Sequence, residues 1–181
     1  MHIISGLYKN TPILSPEDEK THPMGSREKL AMFNMLSSYL PSSVVLDAYA
    51  GSGALGLEAI SRGASKVIFV EHSPKIAKTL KRNIEKVCSL DSSAENKAEL
   101  IIRDVSKLDL EEKSFDIIIA DPPYNNINKK DIESLVKYLK SNGIFVLSSP
   151  RNEDELLGLP GMDIITEKYY SSAKITLFKK S

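Results

Sequence analysis

Val44-Val45-Leu46-Asp47-Ala48-Tyr49-Ala50-Gly51-Ser52-Gly53-Ala54-Leu55-Gly56 is the stretch on which the reading of this chain turns. Val44, Val45 and Leu46 form a short buried strand ending at Asp47, and Leu55, Leu57, Ala59 and Ile60 recur at helical spacing after the glycines. Between them Gly51, Gly53 and Gly56 make a GxGxxG, which permits a tight turn and close backbone approach to a ligand where a strand runs into a helix. Glycines can also serve only to relieve packing. Against that stands Glu71, which follows Gly51 by 20 residues and ends the next strand, where a carboxylate can accept hydrogen bonds from both ribose hydroxyls.

Outward from this loop, strands and helices alternate. Lys66–Glu71 (KVIFVE) is the second strand, and Ser73 with Pro74 opens a helix as cap and first-turn proline. Ile76, Ala77, Leu80, Ile84 and Val87 give that helix its apolar face, and its other face carries lysines. Residues 99–102 form a third strand. Phe115–Ala120 form a fourth, apolar enough to be covered on both faces, and Pro122 and Pro123 stop it. Residues 131–139 read as a helix closed by Asn142 and Gly143, and residues 144–148 as a fifth strand. Residues 163–170 and 174–179 alternate around Ser171 and Ser172, which is a hairpin.

Toward the amino terminus, Ile3, Ile4, Leu7 and Tyr8 with Ile13 and Leu14 suggest a small hairpin. A loop rich in Pro, Glu and Thr then leads to a helix over residues 27–39 with apolar positions Leu30, Met32, Phe33 and Leu36. Residues 1–42 are therefore an extension too small for its own core, and residues 43–181 are the main domain. The expected fold is α/β: a doubly wound, Rossmann-like parallel sheet ending in an antiparallel hairpin, with an amino-terminal hairpin-helix extension.

Composition narrows the functional classes. The 181 residues are 41% apolar, enough for one sizeable core, and no apolar run approaches the roughly 18 to 20 residues that cross a bilayer. The opening MHIISGLYKN lacks the features of a secretory signal, so a cytoplasmic location is expected. A single cysteine, Cys88, and three scattered histidines argue against a structural disulfide or metal site. Lys plus Arg and Asp plus Glu balance at 24 each, which excludes nucleic-acid binding by overall charge alone. The balance is uneven along the chain: residues 62–88 hold seven cationic side chains against two acidic ones, and residues 91–121 reverse the sign. A solvated basic helix beside acidic loops would also produce that pattern.

NAD and S-adenosylmethionine share this kind of crevice, and Asp47 separates them. A carboxylate on the loop repels a pyrophosphate but suits a cofactor bearing a sulfonium and an ammonium. The residues expected to hold S-adenosylmethionine are Asp47, Ala50, Gly51, Ser52, Gly53, Gly56, Glu71, His72, Asp104 and Val105. Asp104 is placed to accept from an adenine amino group with the Val105 backbone beside it, although an aspartate there also caps the following turn. His72 is open to two readings, an adenine contact or an exposed loop histidine.

The most specific signal is Asp121-Pro122-Pro123-Tyr124, at the end of the fourth strand. Methyl transfer to an exocyclic amine needs acceptors that hold the amine and aim its lone pair at the methyl carbon. Asp121 supplies a carboxylate and Pro122 a carbonyl, while Pro122 and Pro123 stiffen the turn and have no N–H to give. Tyr124 offers a face for a base taken out of its stack. These four are the candidate catalytic residues.

These landmarks resemble the bacterial 16S rRNA guanine-N2 methyltransferases of the RsmD-like group, within the class I S-adenosylmethionine-dependent methyltransferases. The resemblance spans nearly the whole chain: residues 2–10, 22–34, 46–64 and 121–124 correspond to the family's HIISGLYKN opening, its RPTTDRVREALFN segment, its glycine loop and its DPPY. It implies the class I methyltransferase fold, S-adenosylmethionine as cofactor and a guanine of small-subunit rRNA as substrate, held in ribosomal particles. It also implies RNA contact by the extension, with Lys9 among its cations; Arg27 and Lys29 at the start of the helix either reach phosphates or are simply solvated, and Asn34 matches the family as a residue lining the cofactor or base pocket. The chain departs from the family at His22, at Met24-Gly25-Ser26 and at Asn10 and Thr11, where basic residues or Thr-Thr-Asp are usual, which weakens the expected RNA contact there. Adenine N6 or a protein glutamine as acceptor, or a non-catalytic adenosyl-binding module in ribosome assembly, are the alternatives.

Overall fold

A computed structural model describes residues 1–15, 24–153 and 158–181. Its seven strands are β1 (Val44–Asp47), β2 (Lys66–Glu71), β3 (Ala98–Ile102), β4 (Phe115–Ala120), β5 (Leu139–Pro150), β6 (Met162–Tyr169) and β7 (Ala173–Lys180). They lie in the order β3-β2-β1-β4-β5-β7-β6. The first five are parallel, and β7 enters antiparallel between β5 and β6. The helices are α1 (Ser26–Met35), α2 (Ala54–Ser61), α3 (Pro74–Leu90) and α4 (Lys129–Leu135). Among the described residues no helix is long and apolar enough to cross a membrane.

The sheet divides the core in two. On one side Met32 and Phe33 of α1, Leu55 and Leu57 of α2 and Leu80 and Val87 of α3 pack on Val45, Val67 and Phe69. On the other, Ile132 and Leu135 of α4 cover Leu46, Ile118 and Phe145. The Ser73 hydroxyl accepts from Ile76 N at the start of α3, with Pro74 in the first turn, as the sequence predicts.

The amino-terminal hairpin is minimal: its ends pair antiparallel, with Ile3 N donating to Thr11 O at 3.0 Å and Ile13 N to Met1 O at 2.9 Å, while the residues between them fold over α2. The bridge joins His2 to Pro12, several N–H groups between them bond to α2, and Leu14 N donates to Asn83 Oδ1 of α3 at 2.8 Å. Ile4 N and Ser5 N donate to the Glu58 carboxylate at 2.7 and 3.0 Å, Tyr8 N donates to Ser61 Oγ at 2.9 Å, and Leu7 N donates to Ser61 O at 2.7 Å. Ile3 thus belongs to the paired end of the hairpin, and residues 4–8 form its loop, laid on α2. The Pro-, Glu- and Thr-rich loop, with His22, lies largely outside the described residues.

Two further boundaries differ from expectation. The helix expected over 27–39 ends at Met35; Leu36 and Leu40 are buried in the turns after it, and Leu30 faces solvent. The helix expected over 131–139 stops at Leu135. A 3-10 turn carries Val136 and Tyr138 into the core, and β5 begins at Leu139, well before residue 144. Between Leu139, which pairs with Phe115, and Ile144, which pairs with Ile117, the register shifts; Asn142 (φ 62°) and Gly143 sit inside this irregularity and cap no helix.

Glu58 binds these pieces together. It is fully buried and also accepts from Arg62 Nε at 2.7 Å, while the Lys29 ammonium of α1 lies 3.7 Å away. Burial pulls Lys29 below its ordinary pKa in spite of that neighbour. Glu58→Ala would leave Lys29 and Arg62 as uncompensated buried cations, and is expected to cost about 3 to 5 kcal/mol, read by urea unfolding. An unchanged midpoint would remove Glu58 from this role.

Candidate active site

β1 and β4 are neighbours at the point where the strand order reverses, and both signal loops leave the sheet at their carboxyl ends. Open α/β sheets bind ligands in that crevice. Gly51 (φ 54°) and Gly53 (φ 82°) adopt the left-handed conformation that turns the loop, and Gly53 N donates to Ala50 O at 2.7 Å. Gly56 lies so close to the Phe69 ring that a Cβ would not fit, which brings α2 down onto β2. The Asn83 side chain of α3 secures the far side, donating to Ser52 O at 2.8 Å.

Two carboxylates hold the loop. Gly56 N donates to Asp47 Oδ2 at 2.8 Å, and Gly51 N donates to Glu71 Oε2 at 2.9 Å. The other Glu71 oxygen accepts from Ser73 N at 2.8 Å and lies 3.2 Å from Nδ1 of the exposed His72. Asp47 is fully buried and its Oδ1 has no hydrogen-bond partner. Burial pushes Asp47 up to about 7; the Gly56 N–H opposes the shift, and the charges of Asp121 and Glu71 add to it. Asp121 is pushed up to about 6 by desolvation, against a hydrogen bond from Ser148. The crevice is therefore acidic and short of positive charge.

The Asp121 turn is braced from β5. Ser148 is fully buried, and its hydroxyl lies 2.7 Å from the Tyr124 hydroxyl as well as bonding Asp121, so it ties the first residue of the turn to the last. The Tyr124 phenol is pushed up to about 12 by partial burial, although 39% of the residue remains exposed. Pro122 is buried and Pro123 is exposed. Sequence reasoning missed Ser148; its signal is a polar residue directly after the apolar run Ile144-Phe145-Val146-Leu147. The first turn of α1 belongs to the same neighbourhood, because Glu28 acts electrostatically on Tyr124 and Tyr170, and Arg27 on Tyr170.

The remaining sequence-predicted residues are more dispersed. Asp104 caps the turn after β3: its Oδ1 accepts from Ser106 N at 2.9 Å and Ser106 Oγ at 2.5 Å, which holds its carboxyl below the usual range and leaves Oδ2 outward. Val105 is buried beside it. Arg27, Asn34 and Lys9 are exposed. Lys29 is not available to RNA. It is 4% exposed, its ammonium donates to His2 O at 3.0 Å, and Glu58 draws it inward. A cavity of about 380 Å³ opens at the opposite edge of the sheet, but its Asp116 is already committed to Val44 N and to Lys140, each at 2.8 Å.

A parallel sheet closed by an inserted antiparallel β7, with its open crevice bordered by the loops after β1 and β4, is the class I methyltransferase fold. The solved structure of yhhF from Escherichia coli, assigned as a methyltransferase, superposes with a TM-score of 0.86 at 24% identity, covering 100% of this chain and 98% of that one. The chain belongs to the family described as "Conserved hypothetical protein 95", which matches residues 1–179. It is 33% identical to ribosomal RNA small subunit methyltransferase D of Haemophilus influenzae, over 84% of this chain and 80% of that protein. It is 32% identical to YlbH of Bacillus subtilis, assigned as an rRNA methyltransferase, over 99% of each.

The raised pKa of Asp47 has a thermodynamic consequence. Because the folded value of about 7 exceeds the ordinary aspartate value of 3.8, the native state holds the extra proton between these limits, and this stabilisation is lost as pH rises through 7. The ligand-free protein is expected to melt higher at pH 5.5 than at pH 8, and Asp47→Asn to flatten that slope. Parallel slopes in the two proteins would show that Asp47 titrates normally.

Proposed function

We propose that the protein transfers a methyl group from S-adenosylmethionine to the exocyclic N2 of a guanine in small-subunit rRNA. The observation that carries this reading is the Asp121–Tyr124 turn, braced by Ser148 and set beside a glycine loop at the switch point. The names of the relatives above support the rRNA substrate. The cofactor suits the residues present, since the unpartnered Oδ1 of Asp47 and the acidic crevice favour a cationic ligand over a pyrophosphate.

When bound, S-adenosylmethionine supplies a methyl carbon activated by a cationic sulfur. The glycine loop and Asp47 would hold it, and Glu71 at the end of β2 would take its ribose. Glu71 already holds Gly51 N and Ser73 N, so ribose hydroxyls would share its remaining lone pairs. Asp121 and the Pro122 carbonyl accept the two amine hydrogens and aim the nitrogen lone pair at the methyl carbon. As the N–C bond forms, the carbon–sulfur bond would break with its electron pair staying on sulfur as a neutral thioether; the alkylated amine would become acidic and lose its proton late, to solvent, so the carboxylate orients and stabilises charge without acting as a strong base. The guanine lies on the exposed face of Tyr124, whose hydroxyl is fixed by Ser148. Arg27, Asn34 and Lys9 contact RNA. The protein acts as a monomer, without a metal, on cytoplasmic small-subunit particles.

The test is incubation with methyl-labelled S-adenosylmethionine and undermethylated small subunits, followed by nucleoside analysis. N2-methylguanosine is expected from the wild type; Asp121→Ala should lower turnover by about 10²-fold or more while still binding cofactor. Label in another nucleoside would overturn the substrate, and cofactor binding without transfer would favour an assembly module. Stripped rRNA is expected to be a much poorer acceptor than particles, and equal rates would refute the particle as substrate.

A further inference from the structure

We propose that the solvent face of α3 is a second RNA surface, a track for the phosphate backbone that starts at the mouth of the crevice and runs down the flank of the domain. This rests on the rRNA reading above but concerns residues outside the catalytic crevice. Of the seven cationic side chains in residues 62–88, three pair with acids: Arg62 with Glu58 at 2.7 Å, Lys66 with Glu99 at 2.7 Å and Lys81 with Glu85 at 4.0 Å. The other four, Lys75, Lys78, Arg82 and Lys86, lie exposed on α3.

Their arrangement is linear. At 3.6 residues per turn, Lys75, Lys78, Arg82 and Lys86 fall within an arc of about 80°, opposite the buried Ile76, Ala77, Leu80 and Val87, and extend about 16 Å along the axis. Lys81 stands to one side, 4.0 Å from Glu85. Because α3 follows Glu71, His72 and Ser73, Lys75 lies nearest the crevice and Lys86 farthest from it. Beyond the stripe the sign reverses, with Asp91 held by Tyr8 and Ser93 and with Glu95 on the next turn.

Interleaved acids mark a merely solvated face, as Lys129 and Glu133 do on α4 at 3.9 Å; on α3 the one acid, Glu85, pairs with Lys81 at the edge of the stripe. Along this stripe, Lys78 with Arg82 and Arg82 with Lys86 are like charges at i,i+4, an arrangement that weakens the helix itself. A polyanion relieves that repulsion. The protein has no net charge, so binding RNA through phosphates needs such a local concentration of cations.

The experiment compares wild type with a variant carrying Lys75→Gln, Lys78→Gln, Arg82→Gln and Lys86→Gln. A control carries Lys107→Gln, Lys113→Gln, Lys130→Gln and Lys168→Gln, the same charge loss elsewhere on the exposed surface. Binding to a labelled, structured small-subunit rRNA fragment is followed by fluorescence anisotropy between 50 and 200 mM KCl, alongside methyl transfer to particles. The α3 variant is expected to bind at least about tenfold more weakly, with a log-log salt dependence shallower by roughly three, the value for four phosphate contacts. Its KM for particles rises while kcat and cofactor affinity hold, and the control stays near wild type.

Equal RNA affinity and salt slope in the α3 variant and wild type would overturn the track, as would an equal loss in the control. Failure of the two readings is distinguishable. Wild type that binds RNA through α3 yet methylates none supports the track and refutes the reaction, whereas particles methylated equally well by both proteins keep the reaction and remove the track.

Discussion

The glycine loop keeps its shape because two carboxylates accept its N–H groups, Asp47 from Gly56 and Glu71 from Gly51. Everything at the crevice follows from that choice. Carboxylates rather than neutral acceptors make these bonds short and strong, but they concentrate negative charge where water is excluded. Asp121 adds a third acid from β4, and Asp47 and Asp121 are both pushed toward neutrality. The loop is thus ordered by groups whose own solvation is incomplete.

The same device recurs on the other side of α2. Glu58 gathers Ile4 N, Ser5 N and Arg62, with Lys29 close by, so one buried carboxylate fixes the amino-terminal segment, α1 and α2 relative to one another. Arg62 also lies over the Phe33 ring at 5.2 Å. The extension is therefore continuous with the main core, and α1 is held with its first turn near Tyr124 and Tyr170.

Much of this was readable from local pattern. Lys66–Glu71 and Phe115–Ala120 are strands with the expected bounds because β-branched runs end at unambiguous stops, and Ser73-Pro74 starts α3 for a reason contained in two residues. What escaped depends on distant partners. The amino-terminal hairpin was readable from its apolar residues, but not that its loop, residues 4–8, gives N–H groups to Glu58 and Ser61. Lys29 reads as a surface cation until Glu58, far along the chain, draws it in. The apolar rhythm of Val136, Tyr138 and Leu139 continues past the true end of α4 because a 3-10 turn and a strand bury the same side chains. Ser148 looks incidental without Tyr124, 24 residues earlier, within hydrogen-bond reach.

The position of β1 between β2 and β4 also orders events in time. Val44 pairs with Lys66 of β2 in the linear neighbourhood, whereas its N–H bonds Asp116, 72 residues away. Contacts of such different sequence separation close at different rates, and the local one closes first. On a growing chain the glycine loop and its Glu71 partner can assemble as soon as β2 has emerged. The Asp121 turn waits for β4, and its Ser148 brace waits for β5. The cofactor side of the crevice is in this sense the older part of each newly made molecule, and the Asp121 turn with its brace is the last to be set.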